Sequence, residues 1–432
     1  MALVVLGTGF LLSCSSDATD SSLSAPPTIA ASKSTPLSST PLSSNPSPNT
    51  TTEAGPTDDV GGAAFSDRFD TDLARWTISR WRQEGSSDPG YVGPAETVCG
   101  VDDALPPLDV AVCDGHLEIS NASQNYGDLF LRADQQFDIA GRTGTISFDM
   151  TTTGTLLEGY PVLLFTDGPY SAPSYDADNA SGPGPENGLL IQFDAQCAID
   201  GKWALAPQVR SWSDHVMSTH VGAGCAKSSA SGTVLDRVEV RVSTSAIDIS
   251  VNGAPWFSAD VGAPGRSYVH IGVHNHATEK YASRPAWTSW FDNVVFDGPV
   301  LPVHVAEVAD PLTPDGDGIN IAYMLPTAEL PLPDVAADPA AAWLVLSMQA
   351  NRGSDFEESR LNYRLNGGSW HEVAVQDADA RPTGSSTYSW RIPVDVSELV
   401  EGDNTVEFTV TGFEGGWPAA VANIDLVIEP AR

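Results

Sequence analysis

The chain has 432 residues, with 56 Asp and Glu residues against 21 Lys and Arg residues, and a formal net charge of -35. The acidic residues are scattered without a long run, which is typical of a solvated surface and argues against nucleic acid and anionic membranes as partners. The excess of carboxylates is compatible with calcium binding and equally with a saline environment.

The first fourteen residues, MALVVLGTGFLLSC, form an apolar run that ends in a cysteine. This run is too short to span a bilayer and fits the core of a signal peptide. Its end, Leu11 to Cys14, resembles a bacterial lipoprotein box, which implies that Cys14 is lipidated. A basic segment near Met1 is missing, so a translation start a few codons upstream is expected. The alternative is a buried apolar segment with a chance cysteine.

Residues 15–63 are dominated by Ser, Thr, Pro, Ala and Asp. Such a composition buries too little apolar surface to offset chain entropy, so the segment is predicted to be a disordered linker. As a tether it would span on the order of 40 Å. A lipid on Cys14 and this linker together predict a protein of the bacterial cell envelope, exposed outside the cytoplasm and attached to the membrane only through its N-terminal lipid.

The cysteines fit an exported protein. If Cys14 carries lipid, four of the five cysteines remain, and an even number favours disulfides. Three pairings are possible, of which we favour the one that links neighbours in sequence, Cys99 to Cys113 and Cys197 to Cys225. Each short loop would contribute about 3 kcal/mol. Metal ligation is less favoured because none of these cysteines lies in a Cys-x-x-Cys pair.

Residues 64–299 show the alternation of β-strands. Polar and apolar residues alternate in GTISFDM (144–150), in 237–242 and in 246–251, where Asn252-Gly253 then supplies a hairpin turn. The segment opens with FSDRFDTDLARW and closes with WTSWFDNVVFDGP. This pattern resembles the concanavalin A-like lectin/glucanase superfamily. The resemblance implies a jelly roll whose first and last strands lie near each other.

Residues 300–432 form a second β-rich segment. Its predicted strands include AAWLVLSMQA, RLNYRLNGGSWHEVAV with an Asn366-Gly367 turn, and NTVEFTVTGF. The pattern resembles a galactose-binding-like jelly roll, the fold of many accessory carbohydrate-binding modules. The predicted fold class is therefore all-β, with two β-sandwich domains after the signal and the linker.

Polar residues on the strands of the first sandwich are candidates for sugar binding. The resemblance implies a sugar on one concave sheet face, where carboxylates and amides bond vicinal hydroxyls. The residues that we assign to this role are Asp149, Asp167, Gln192, Asp194, Trp212, His274 and His276. Other aromatic residues that would stack on pyranose rings are Tyr170, Tyr175 and Trp203. The alternative for each is a solvated strand residue or a core aromatic.

The histidines of VHIGVHNH lie at even spacing. On a strand, this spacing puts His270, His274 and His276 on one face, opposite Ile271 and Val273. Three roles remain open: hydrogen bonding at a sugar groove, structural packing, and metal ligation. His270 is too far along the strand to complete a compact zinc site with the other two.

The favoured function is a surface-anchored lipoprotein that binds polysaccharide. The alternative is a polysaccharide-degrading glycoside hydrolase or lyase, and a structural or adhesive envelope protein is a further alternative. A hydrolase needs two carboxyl groups, for which Asp149 and Asp194 are the candidates, although the Glu-x-Asp-x-x-Glu motif common in superfamily glucanases is absent. A lyase would use His274 and Tyr281.

A structural calcium site is predicted at the junction of the first and last strands of the first sandwich. FSDRFD supplies Asp67 and Asp70, and WFDN supplies Asp292 and Asn293. If these strands are neighbours, their oxygens converge as calcium requires. The alternative is turn formation and strand capping by the same side chains.

Overall fold

The computed structural model describes eighteen segments of the chain. They are residues 65–70, 72–83, 91–92, 99, 109–121, 126–153, 159–171, 185–199, 202–214, 216–221, 236–275, 287–307, 319–320, 327–331, 339–350, 360–373, 386–411 and 420–430. All of them belong to one compact unit, residues 59–432. Cys14, the linker, Cys225 and His276 lie outside the described residues, so the predictions made for them stay predictions.

The described residues form β-strands almost throughout. The strands up to residue 302 are β1 (Phe65–Asp67), β2 (Trp76–Gln83), β3 (Tyr91–Val92), β4 (Asp109–Cys113), β5 (His116–Asn121), β6 (Tyr126–Asp138), β7 (Gly144–Thr153), β8 (Gly159–Thr166), β9 (Gly188–Ile199), β10 (Lys202–Ser213), β11 (Val216–Val221), β12 (Asp236–Val242), β13 (Ile247–Val251), β14 (Ala254–Ala259), β15 (Arg266–Asn275), β16 (Trp287–Asp297) and β17 (Val300–Pro302). The strands after residue 302 are β18 (His304–Glu307), β19 (Ile319–Asn320), β20 (Thr327–Pro331), β21 (Pro339–Ala350), β22 (Arg360–Leu365), β23 (His371–Glu372), β24 (Ser386–Val394), β25 (Asp403–Thr411) and β26 (Ala420–Pro430). A 3-10 turn covers Val396–Glu398. Among these residues no helix has the length and apolar character needed to cross a membrane.

The first sandwich consists of two antiparallel sheets. The eight-stranded sheet has the order β14-β13-β12-β7-β16-β5-β4, with β1 paired to β16. The nine-stranded sheet has the order β11-β10-β9-β8-β15-β6-β2-β3, with β17 paired to β6. The all-β prediction is confirmed, and each sheet combines strands that are consecutive in the chain with strands that are distant in sequence.

Alternation along the strands builds the core between these sheets. On β7, Ile146, Phe148 and Met150 are buried in the core, while the residues between them point outward. On β15, Ile271 and Val273 face the same core from the opposite sheet. The expected adjacency of first and last strands is confirmed, because β1 pairs with β16 through the register Phe65 to Phe296.

The second sandwich also has two sheets. The five-stranded sheet has the order β18-β26-β21-β24, with β19 paired to β26, and the four-stranded sheet has the order β20-β25-β22-β23. On β21 the consecutive residues Leu344, Val345 and Leu346 are all buried, and on β26 so are Leu426 and Val427. A strand that is buried at consecutive positions has both faces covered. One face of the five-stranded sheet therefore packs against something other than its own sandwich.

That second contact is with the nine-stranded sheet of the first sandwich. Val345 and Val427 form an apolar cluster with Tyr268 and Val303. The carboxylate of Glu429 accepts hydrogen bonds from Gln136 Nε2 at 2.9 Å, from the Tyr268 hydroxyl at 2.8 Å and from Trp343 Nε1 at 3.3 Å; these three donors come from both sandwiches. Burial and the neighbouring Glu429 carboxylate raise the pKa of Tyr268 well above its usual value, which keeps the hydroxyl a donor. The two sandwiches thus share a packed, hydrogen-bonded interface.

One of the two predicted disulfides lies in the described residues. Cys99 and Cys113 form a disulfide, and Cys113 is the last residue of β4. Cys197 lies on β9, where its side chain is not described, so its pairing with Cys225 stays a prediction.

Candidate functional site

The outer face of the nine-stranded sheet carries the histidines of VHIGVHNH. Because Ile271 and Val273 face the core, His270 and His274 face outward, as their spacing predicts. His270 on β15 lies between Arg132 on β6 and Leu164 on β8. The next outward row contains Gln192 on β9, which pairs with Val162 on β8.

His270 is completely buried, and its hydrogen bonds define its tautomer. The Thr166 hydroxyl donates to the carbonyl oxygen of Gly168 at 2.6 Å and lies 3.2 Å from His270 Nε2. Because that hydroxyl proton is already engaged, Nε2 carries the ring proton and donates to Thr166. Burial, with the Arg132 guanidinium nearby, lowers the pKa of His270 well below its usual value. Neutral His270 therefore presents Nδ1 as an acceptor.

Aromatic rings surround this imidazole. The Phe130 and Tyr170 rings stand edge-on to it, with centroids at 6.1 and 6.3 Å. Both belong to an apolar cluster on the outer face whose buried members are Phe130, Val162, Leu164, Tyr170, Leu190 and Trp212. Trp212, a predicted sugar-stacking residue, is thus buried on the expected face.

Among the buried polar atoms that lack a hydrogen-bond partner in the described part of the chain, three lie on β6, β9 and β15 of this face. They are His270 Nδ1, Gln192 Oε1 and Arg132 Nε. The other nitrogens of Arg132 are used, since Nη1 donates to the Tyr170 carbonyl at 3.2 Å and Nη2 donates to Asp425 of the second sandwich at 2.9 Å. From strand spacing, Gln192 lies roughly 12 Å from His270 at Cα. Buried polar groups in folded proteins are nearly always hydrogen-bonded, so these three atoms make this face a candidate site.

Residues directly after β8 and directly before β9 are hydrogen-bonded to the second sandwich. Arg391 on β24 donates to Asp167 at 2.9 Å and to Glu186 at 2.7 Å, and Ser171 N donates to Ser389 Oγ at 2.9 Å. A Cβ at Gly168 would overlap the Arg391 side chain, so any larger residue here would displace that arginine. Asp167, a predicted sugar ligand, is therefore occupied by Arg391 and by the Asn187 amide.

A second polar pair lies further along the same face. His274 Nδ1 is 2.5 Å from Asp128 Oδ1, both side chains are buried, and the Tyr160 ring stacks on the imidazole with centroids 6.2 Å apart. Sequence reasoning missed Asp128 and Arg132. Both lie at the polar positions of the alternating segment DLFLRAD on β6, and this alternation could have predicted that they face outward.

The structure does not bring together the two carboxylates proposed for hydrolysis. Asp149 lies on β7 of the eight-stranded sheet, where Arg237 Nη1 donates to it at 3.2 Å and Asn293 Nδ2 at 2.8 Å. Asp194 lies on β9 of the other sheet, and its side chain is not described. Strands of opposite sheets are separated by the core, so this pair does not form one groove.

The predicted calcium residues converge only in part. Both Asp67 oxygens are engaged at 2.7 Å, one by Phe69 N and the other by Trp76 Nε1. Asn293 has φ +48° and donates from its backbone and its amide to the Asp292 carboxylate at 2.6 and 2.9 Å.

The environment of Asp292 shifts the pKa of its carboxyl group. Burial raises its pKa above the usual value, and the carboxylates of Asp149 and Asp70 act in the same direction. No group of three or more His, Cys, Asp or Glu side chains suited to a metal occurs among the described residues. Asp67 thus fits the turn-forming alternative, and calcium binding by the set stays a prediction.

No protein-family model and no curated protein matches this sequence. Solved structures that resemble the chain include a galectin-like protein of unknown function from Bacillus subtilis (10% identity, TM-score 0.36), which covers 55% of this chain and 96% of its own. A β-glucanase from Bacillus licheniformis has 12% identity and TM-score 0.35, with 55% and 99% coverage. The carbohydrate binding module CBM66 from Bacillus subtilis has 14% identity and TM-score 0.27, with 42% and 86% coverage. These likenesses are too distant to assign a function, so the function is argued from the side chains.

Proposed function

We propose that the chain binds an uncharged polysaccharide on the outer face of the nine-stranded sheet. The observation that supports this is the set of three unpaired polar atoms, His270 Nδ1, Gln192 Oε1 and Arg132 Nε, beside buried aromatic rings. Each unsatisfied buried polar group costs about 1–3 kcal/mol, which a ligand with matching groups would recover.

The pattern of these atoms favours a polyol. Two of them, on His270 and Gln192, are acceptors, and Arg132 Nε is a donor. A hydroxyl group both donates and accepts, so hydroxyls on successive sugar units would match the two acceptors and the donor without a charge on the ligand. The net charge of -35 disfavours a polyanionic glycan on electrostatic grounds.

The proposed location of this activity is the bacterial cell envelope. A lipid on Cys14 would attach the chain to a membrane, and residues 15–63 would hold the sandwiches away from it. The variant Cys14→Ala should lose acyl labelling and appear in the soluble fraction. Labelling that persists in the variant would refute the anchor.

The experiment for the main proposal is a glycan panel of neutral oligosaccharides and polysaccharides. Binding with unchanged reducing ends is the expected result. An absence of binding across the panel would overturn the proposal and favour a structural or adhesive role.

Cleavage of polysaccharide is a second candidate function, favoured by the buried pair of His274 and Asp128. A carboxylate at 2.5 Å from Nδ1 orients an imidazole, which is the arrangement of a general base and its positioning group. New chain ends released by the wild-type chain, and absent with His274→Ala, would identify an enzyme. Constant chain length in both would exclude this candidate.

A further inference from the structure

The second sandwich exposes a large aromatic side chain on the side away from the first sandwich. Trp370 lies between β22 and β23 of the four-stranded sheet and is 45% exposed. Alternating burial on this sheet, with Tyr363 and Phe408 inward, leaves one solvent face that carries Arg364 and Glu407. The five-stranded sheet, by contrast, contacts the first sandwich.

The indole is held in place by a fixed cation. The Arg364 guanidinium carbon lies 4.6 Å from the centre of the Trp370 ring. Arg364 Nε and Nη2 donate to the two oxygens of Glu407 at 3.0 and 2.7 Å, and these hydrogen bonds raise the pKa of Arg364 above its usual value. This bidentate interaction fixes the guanidinium plane. One face of the Trp370 indole is therefore covered by Arg364, and the other face remains available to a ligand.

The backbone that carries Trp370 is also anchored. The next residue, His371, stacks on Tyr363 with ring centroids 5.1 Å apart, and its Nε2 lies 2.8 Å from Glu398 Oε1. The preceding turn places Asn366 at φ +50° and Gly367 at φ +69°, the conformation of a tight hairpin. Trp370 is therefore a rigid exposed ring, which loses little conformational freedom when a ligand stacks on it.

We infer that Trp370, Arg364 and Glu407 form a second glycan-binding subsite. A pyranose ring would stack on the free indole face, while the guanidinium and carboxylate beside it would hydrogen-bond hydroxyls at the rim of the sugar. The ligand class is the same uncharged polysaccharide, so this inference rests on the proposed function for its ligand. The geometry of the Trp370 subsite does not depend on the nine-stranded sheet.

The test uses the full chain labelled with 5-fluorotryptophan. The probes are neutral hexasaccharides of β-1,3-glucose, β-1,4-glucose, α-1,4-glucose, β-1,4-mannose and β-1,4-galactose. The resonance of Trp370 is the one that Trp370→Ala removes. We expect it to shift on titration, and we expect Trp370→Ala to weaken binding at this subsite about tenfold. The variant should keep its melting temperature because the ring is exposed.

Two further variants separate this inference from the proposed function. Val400→Ala shortens another exposed apolar side chain of the same sandwich and should change nothing. Gln192→Met should weaken binding on the nine-stranded sheet and leave the Trp370 shift intact. If a hexasaccharide binds and Gln192→Met weakens it while the Trp370 resonance stays still, the subsite is overturned and the proposed function stands. If the resonance shifts and Gln192→Met has no effect, the subsite stands and the face proposed for the first sandwich is wrong.

Discussion

Replacing Gln192 by methionine tests whether its unpaired side-chain oxygen accepts a hydrogen bond from a ligand. The side chain is buried on β9, and Oε1 has no partner among the described residues. Methionine has a similar volume, so packing changes little. Removing an unsatisfied acceptor should raise the free energy of unfolding of the ligand-free chain by about 1 kcal/mol, the lower end of the cost of such a group.

The same substitution should weaken glycan binding. One hydrogen bond contributes about 1 kcal/mol net, which corresponds to roughly a fivefold change in Kd. Urea unfolding of the ligand-free chain and calorimetric titration with the best-bound oligosaccharide measure the two quantities. Opposite signs, higher stability with lower affinity, are the signature of a ligand-binding group and are not expected of a structural one.

Gln136→Met is the matched control. Gln136 is equally buried on the same sheet, but its Nε2 donates to Glu429 at 2.9 Å. Its replacement should lower the free energy of unfolding by about 1 kcal/mol and leave affinity unchanged. A loss of stability in Gln192→Met comparable to that of the control would refute the reasoning, because it would show that Oε1 is used within the folded chain. Unchanged affinity would remove Gln192 from the site.

Three other outcomes follow from described contacts. His270 has a lowered pKa when folded, so the unfolded chain binds more protons near and below its usual value of 6.5; the stability should therefore fall as pH drops from 7 to 5. His270→Gln should reduce that slope in urea midpoints, and an unaltered slope would assign it to other groups. Gly272→Ala places a Cβ against the carbonyl oxygen of Leu129 and should lower the melting temperature by several degrees; a wild-type melt would contradict the close approach. Arg391→Ala should weaken glycan binding by releasing Asp167 and Glu186, as measured by titration, whereas equal affinity would show that the second sandwich does not position the site.

Local pattern was enough to predict some of these features. The spacing of His270 and His274 placed both on one face because side chains alternate on any strand, whatever its neighbours. The Cys99–Cys113 disulfide was predictable because the two residues are close in sequence. In each case, the relevant contact is short-range or follows from the strand period.

Features that depend on strand order could not be predicted from the sequence. In the sequence, Asp149 and Asp194 each alternate with apolar residues, yet β7 and β9 belong to opposite sheets because the chain crosses from one sheet to the other between β7 and β8. Arg132 meets Asp425 across 293 positions of the chain. The sequence pattern predicts two separate sandwiches and carries no sign that the second one covers part of the predicted sugar face.

The interface around Glu429 and Asp425 has a consequence for avidity. Because packed side chains and a buried ion pair join the sandwiches, the two proposed glycan surfaces are held at a fixed offset. They lie on opposite sides of the second sandwich, at least about 10 Å apart, the usual distance between packed sheets. A rigid bivalent receptor gains affinity only from a ligand that bridges its fixed span. Short oligosaccharides would occupy the surfaces one at a time, and apparent affinity would rise abruptly once the polysaccharide is long enough to reach around the second sandwich.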